Sequence, residues 1–315
     1  MGDQTIIVIV GTALLGIASG MVGTFAVLRR RALTGDVVAH SALPGLCLAF
    51  LLFESKSILV LLAGALVSGL LGAITVSLLT RLTRLKDDAV QGIVLSVFYG
   101  SGIALTRVIQ NRYRASNESD LESFLIGRAA TMLKSDVLQI AGVTLAVSIV
   151  VVLLYKELKL LSFDRQFCSV QGLAATPLDF TLMLLTAVTV VVGLPAVGVV
   201  LMAALLIIPA AAARFWTDRL SGMMAIASIF GAVSGIVGTL LSAHWDGLPT
   251  GPLIVLTSTS LFLLSWIFSP HRGIMASLRR PTLGELEAEL PWNQPDPIVV
   301  DFVKSSASVK ESSND

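Results

Sequence analysis

Residues 35–53 read Gly-Asp-Val-Val-Ala-His-Ser-Ala-Leu-Pro-Gly-Leu-Cys-Leu-Ala-Phe-Leu-Leu-Phe. Asp36 and His40 stand four residues apart, one helical turn, so both project from one face of a helix. The apolar run that follows is long enough to enter a bilayer. An ionisable pair at the start of a membrane helix is costly to bury and by default marks a functional site. A carboxylate with one neutral imidazole is a borderline-hard donor set that suits Mn²⁺, Fe²⁺ or Zn²⁺, with geometry rather than affinity separating them. The competing reading is an interfacial Asp acting as a helix cap and a His satisfied by a backbone carbonyl. The pair alone leaves both open.

The rest of the chain supports a membrane setting. Of 315 residues, 55% are hydrophobic and only 14% charged, and the mean hydropathy is +0.85. A soluble protein is about one quarter charged. The formal net charge of +1 says nothing about nucleic acid, and no basic cluster is interleaved with aromatics, so no nucleic-acid partner is expected. Cys47 and Cys168 supply neither a disulfide framework nor zinc spacing. The N-terminus has no basic n-region and no small-x-small cleavage site, so residues 6–28 read as a retained transmembrane helix.

A helix crossing about 30 Å of hydrocarbon needs about 20 mostly apolar residues. On that basis the chain is an all-α, polytopic integral membrane protein with about nine spans: 6–28, 37–53, 58–80, 89–107, 137–155, 177–193, 196–213, 222–243 and 251–269. The sixth and seventh are short and separated only by Gly193-Leu194-Pro195, a tight turn or a re-entrant break, which leaves eight to ten crossings open. Pro209 is expected to kink the seventh. The small-residue spacings Gly16-xxx-Gly20, Gly64-xxx-Ser68-xxx-Gly72 and Gly231-xxx-Gly235 read as helix packing sites. Residues 1–280 form the membrane domain. Residues 281–315, rich in Pro, Ser and acid, read as a disordered cytoplasmic tail.

Basic residues orient the chain. If the first helix runs inward, the inner ends carry Arg29, Arg30, Arg31, Arg81, Arg84, Lys86, Lys156, Lys159, Arg165, Arg214, Arg219, Arg272, Arg279 and Arg280. The outer ends carry Lys56, Arg107, Arg112, Arg114, Arg128 and Lys134. This asymmetry predicts an external N-terminus and a cytoplasmic C-terminus.

Enzymatic readings fall away. The chain has no Gly-Lys dipeptide, hence no phosphate loop of the Walker type, and no His-Glu-x-x-His. A transporter or channel remains. The inner-side segment 155–173, Tyr-Lys-Glu-Leu-Lys-Leu-Leu-Ser-Phe-Asp-Arg-Gln-Phe-Cys-Ser-Val-Gln-Gly-Leu, predicts a short helix capped by Ser162 or Asp164 and ended by Gly172. Its apolar Phe163, Phe167 and Val170 suit docking to a motor subunit; the alternative is a helix lying flat on the membrane.

Several of these stretches carry a family resemblance. They are VLRRRALTGDVVAHSALPG (27–45), LESFLIG (121–127), YKELKLLSFDRQFCSVQGL (155–173), VGVVLMAALLIIPAAAAR (197–214), LPTGPLIVL (248–256) and the Ser-Pro at 269–270. In order and spacing they resemble the permease subunits of bacterial ABC importers for manganese, zinc or iron(II), the ABC-3 family. The resemblance implies a type II-like ABC importer permease of the cytoplasmic (inner) membrane, embedded in lipid. It implies a homodimer or heterodimer with a second permease subunit, cytoplasmic ABC ATPase subunits and an extracytoplasmic metal-binding protein. ATP would be hydrolysed on the separate subunit, and the metal would be cargo, not a permanently bound cofactor. Asp36 and His40 would line the metal path, and 162–172 (Ser162, Phe163, Asp164, Phe167, Gly172) would couple to the ATPase. Two departures stand out: Gln171 replaces a small residue before Gly172, and the tail beyond Pro270 exceeds the family core.

Other donors weigh less. Cys47 follows His40 by seven residues, but Pro44 and Gly45 are expected to interrupt the register. His244 and Asp246 either receive metal on the outer side or, in the case of Asp246 with Thr250, cap the last helix. Glu118, Asp120 and Glu122 either attract cations or contact the binding protein, or they form a solvated acidic loop beside Arg112 and Arg114. A secondary transporter driven by an ion gradient would need further carboxylates within mid-helix, and Asp87, Asp88, Asp136 and Asp179 all fall near expected helix ends.

Overall fold

The computed structural model describes residues 3–29, 31, 33–54, 57–112, 127, 129–245, 248–269 and 273. Among them there is no strand. The helices are α1 (Asp3–Leu28), α2 (Thr34–Phe53), α3 (Ile58–Leu82), α4 (Asp87–Arg112), α5 (Lys134–Leu153), α6 (Tyr155–Phe163), α7 (Arg165–Val170), α8 (Ala175–Val197), α9 (Val199–Arg214), α10 (Leu220–His244) and α11 (Thr250–Phe268). A single 3₁₀ turn, Ala129–Thr131, precedes α5. Eight helices are long and apolar enough to cross a membrane, and α9 is the shorter ninth apolar one. Its 16 residues rise about 24 Å. The expected tail 281–315 lies outside the described residues.

The sixth and seventh spans do not part at Gly193–Pro195. Pro195 lies inside α8, and the break falls at Gly198, with φ 82° and ψ 168°. A proline so close to a helix end forfeits one hydrogen bond, whereas a sharp reversal needs backbone that only glycine adopts readily. Gly127, the last residue of the Leu-Glu-Ser-Phe-Leu-Ile-Gly stretch, also has positive φ, and a Cβ there would collide with the Val197 carbonyl and the Gly198 amide. Two glycines thus meet back to back at this end of the bundle. Helix α9 stays continuous through Pro209.

Helices alternate in direction, which sorts their ends into two groups. Arg29, Arg31, Arg81, Lys156, Lys159 and Arg214 gather with α6 and α7 at one end, called here the basic end. The start of α1, Gly127, Gly198 and the start of α11 gather at the other.

The small residues do what their spacing predicts. Gly16 meets Gly231, Gly20 meets Ala227, and Gly235 meets Thr12, one constant antiparallel register along α1 and α10. The Thr12 hydroxyl lies 3.3 Å from both the Gly235 carbonyl and the Thr239 hydroxyl across this seam. Between α2 and α3, Gly45 meets Gly64, Gly72 meets Ser41, and the Ser68 hydroxyl donates to the Ser41 carbonyl at 2.6 Å. Without glycine at these contacts the backbones could not approach so closely. Helices α1, α2 and α8 are mostly buried, while α4, α5 and α11 present large apolar side chains outward.

Candidate functional site

Helix α2 begins at the basic end, with Asp36 in its first turn. Leu33 occupies the N-cap and no side chain caps the helix, so Asp36 is not spent on capping. The His40 Nε2 lies 3.4 Å from Asp36 Oδ1, and both side chains are partly exposed, 21% and 29%. The imidazole rests edge-on against Tyr99 of α4, centroids 4.7 Å apart and planes at 77°. Its Nδ1 is buried with no hydrogen-bond partner among the described residues. The carbonyl that the bland reading of His40 requires is therefore not supplied. Two donors of one chain thus stand together, each partly exposed, and among the described residues no third His, Cys, Asp or Glu joins them.

Three contacts repeat between α2 and α4 in one parallel register: His40 with Tyr99, Leu43 with Gly102, and Cys47 with Thr106. Helix α2 runs unbroken through Pro44 and Gly45, so Cys47 does share the His40 face, contrary to the sequence expectation. It is nonetheless fully buried, its Sγ 3.4 Å from the Thr106 hydroxyl and 3.9 Å from the Gly102 carbonyl, and two turns away from the pair. Packing accounts for it.

At the basic end, Leu158 of α6 buries against Val22, Phe25, Val147, Val151 and Leu182, and Leu161 of the same helix is buried as well. This fixes α6 to the bundle rather than to a membrane surface. Asp164 Oδ1 accepts from the Phe167 amide at 2.9 Å and so starts α7. Ser162 is not the cap, because its hydroxyl donates back to the Leu158 carbonyl at 2.7 Å. Gly172 ends the segment with φ 79°. Phe163, Phe167 and Val170 are 61%, 48% and 82% exposed, while Cys168 between them is buried. An anchored scaffold thus holds apolar side chains outward.

At the opposite end, His244 closes α10 exposed, its ring edge-on to Trp245 at 5.7 Å. Asp246 lies outside the described residues, as do Glu118, Asp120 and Glu122. Thr250 does not cap α11; its hydroxyl lies 3.0 Å from that of Ser242, and the N-cap position is Pro249.

Two residues escaped the sequence reading. Tyr99 gave no signal beyond being one of three tyrosines. Asp179, set aside as a helix-end acid, is 2% exposed and, among the described residues, meets three arginines. The signal was there: an acid between Leu178 and Phe180 in a span bounded by apolar residues.

The model of the ABC 3 transport family matches residues 2–269. The chain belongs to that family. It is 48% identical over 273 residues, 87% of its length, to the manganese transport system membrane protein MntC of Bacillus subtilis, and spans 62% of that relative. It is 46% identical over 283 residues, 90% of its length and 95% of the relative's, to the zinc transport system membrane protein TroC of Treponema pallidum. Among solved structures, PsaBC from Streptococcus pneumoniae in complex with Fab superposes with a TM-score of 0.76 at 30% identity, covering 89% of this chain and 96% of that one. The bundle is therefore that of a family of transport permeases.

Proposed function

We infer that this chain is the membrane permease subunit of an ATP-driven importer that passes Mn²⁺, Zn²⁺ or Fe²⁺ across a bacterial cytoplasmic membrane. The observation that carries the reading is the Asp36–His40 pair, 3.4 Å apart and partly open, at the start of a central helix in a chain of this family. The carboxylate and the neutral imidazole replace part of the ion's water shell. The Nδ1, buried and without a hydrogen-bond partner among the described residues, lacks the acceptor that normally orients a ligating histidine. Weak holding suits a conduit, since a fully coordinated ion would not leave.

Two donors fall short of the four or more that such ions take. A second permease subunit supplies the rest. Supporting this, α4 carries an exposed row of small residues beside Tyr99: Gly92, Ser96, Gly100 and Ala104, with open space around both glycines. A neighbouring membrane helix approaches closely on such a row. The basic end, with Phe163, Phe167 and Val170, faces the cytoplasm under the positive-inside rule and takes the ATPase subunit. The opposite end, with His244, receives metal from an extracytoplasmic binding protein.

Gradient-driven transport is less well supported. The buried acid it would use, Asp179, is already engaged by arginines. The deciding experiment is uptake in a strain lacking the chain, with Mn²⁺, Zn²⁺ and Fe²⁺ offered in turn. Rescue by the chain together with its ATPase, and not by the chain alone, is expected. Uptake by the chain alone would overturn the reading.

A further inference from the structure

Asp179 sits five residues into α8 with its side chain 3% exposed. Its Oδ1 lies 2.5 Å from the Arg29 guanidinium and 3.8 Å from that of Arg31, and its Oδ2 lies 3.7 Å from Arg81. Arg29 is almost as buried, at 9%, whereas Arg31 and Arg81 are progressively more exposed, at 19% and 48%. One carboxylate thus holds three guanidinium groups from two helix ends together.

The placement of these ends matters more than the number of charges. Arg29 and Arg31 belong to the short connector between α1 and α2, and Asp36 lies in the first turn after it. Asp179 lies in the first turns of α8, the helix that follows the motor-docking segment α6–α7 after only four residues. So few residues extend no more than about 14 Å, and a connector this short passes displacement on instead of absorbing it. On its far side the start of α2 is wedged as well: Leu206 of α9 fills the space at Gly35, and its backbone rests on Gly23 of α1. A shift of α8 therefore reaches the donor pair by a short, buried, charged route.

We propose that Asp179 is a positioning residue for transport: through Arg29 it ties the first turns of α8, just after the motor-docking helices, to the connector that leads into the helix start carrying Asp36 and His40. The proposal rests on the permease reading above. A buried ion pair suits such a tie because removing one partner leaves an uncompensated charge, so the two ends move together or separate completely. Arg81, farther away and half in solvent, is screened and contributes little.

The test reads ions moved per ATP hydrolysed by the chain assembled with its ATPase subunits in proteoliposomes, with Mn²⁺ and Zn²⁺ supplied in separate arms. Asp179→Asn is expected to keep its ATPase activity while the ratio of ions to ATP falls about tenfold, within the range of coupling changes produced by single substitutions. Arg29→Gln should match it, and Arg81→Gln should stay near the wild type. The neutral double variant Arg29→Gln with Asp179→Asn leaves no bare member of the pair, and so keeps the measurement possible if a single variant does not assemble. It should show the same low ratio, and Asp179→Glu should recover part of it. A wild-type ratio in Asp179→Asn or in the double variant overturns the proposal, even if those proteins melt earlier. Failure of the wild-type assembly to move either ion above empty vesicles would instead strike at the permease reading itself.

Discussion

Gly16 and Gly231 face each other backbone to backbone, and a Cβ on either would lie inside the other's carbonyl. The contact sits midway along the seam of α1 and α10, where Gly20 and Gly235 make equivalent approaches. Gly16→Leu or Gly231→Leu should therefore force the two helices apart. The loss is expected to exceed about 4 kcal/mol, in the class reserved for overpacked cores. Gly142→Ala on α5, where nothing lies within 4 Å, is the control and should be neutral or gain about 0.5–1 kcal/mol from helix propensity. Thermal unfolding in detergent reads both. Equal melting of the Gly16 and Gly142 variants would refute the seam.

Asp36→Asn and His40→Ala should each reduce metal uptake to background without lowering the yield of protein. The double variant should be no worse than either single one, since both losses break the same site. Uptake by intact cells, normalised to membrane protein, is the measurement. Near-normal uptake by a well-expressed double variant would remove the pair from the metal path.

Phe163 and Phe167 stand out of an anchored helix pair without serving the core. Phe163→Asp or Phe167→Asp should weaken ATPase binding by roughly 30-fold, the effect of losing an aromatic interface anchor worth about 2 kcal/mol. The melting temperature of the permease alone should hardly change. Full copurification of the ATPase with both variants would rule out this docking face.

The direction of the bundle is open to labelling. Both native cysteines are buried, so an impermeant maleimide should meet little background. A cysteine at exposed His244 should react in intact cells, and one at exposed Lys159 only after lysis. The reverse pattern would invert the assignment of the two ends.

The exposed row on α4 yields a prediction that separates folding from assembly. Gly100→Phe projects into open space in the single chain, so monomer folding should survive. Pairing of two permease subunits and metal uptake should both be lost. An intact dimer, judged by its mass in detergent, would place the second subunit elsewhere.

What could be read without coordinates follows from the bilayer itself. Apolar runs of the right length have few alternatives to a spanning helix, so nine apolar helices were legible to within a few residues at most ends. Glycine and serine at four-residue spacing announced close packing, because only small side chains permit it. Asp36 and His40 were visible as a pair since a helix turn links sequence distance directly to position. The break between α8 and α9 was misplaced by three residues, because proline marks a lost donor whereas the turn depends on Gly198, whose left-handed backbone is fixed by its contact with distant Gly127.

Only the tertiary structure could decide partners. Which helix faces His40 depends on the parallel register of α2 and α4, so Tyr99 had no claim to notice from its own neighbours in the chain. Asp179 and Arg29 are 150 residues apart and meet at 2.5 Å. Composition places an acid near a helix end, but whether it is solvated or buried against arginines is set by which ends the fold brings together. The physical reason is the same for both: hydropathy and spacing act within one helix, while charge pairing and ring contacts depend on distances between helices that no local pattern encodes.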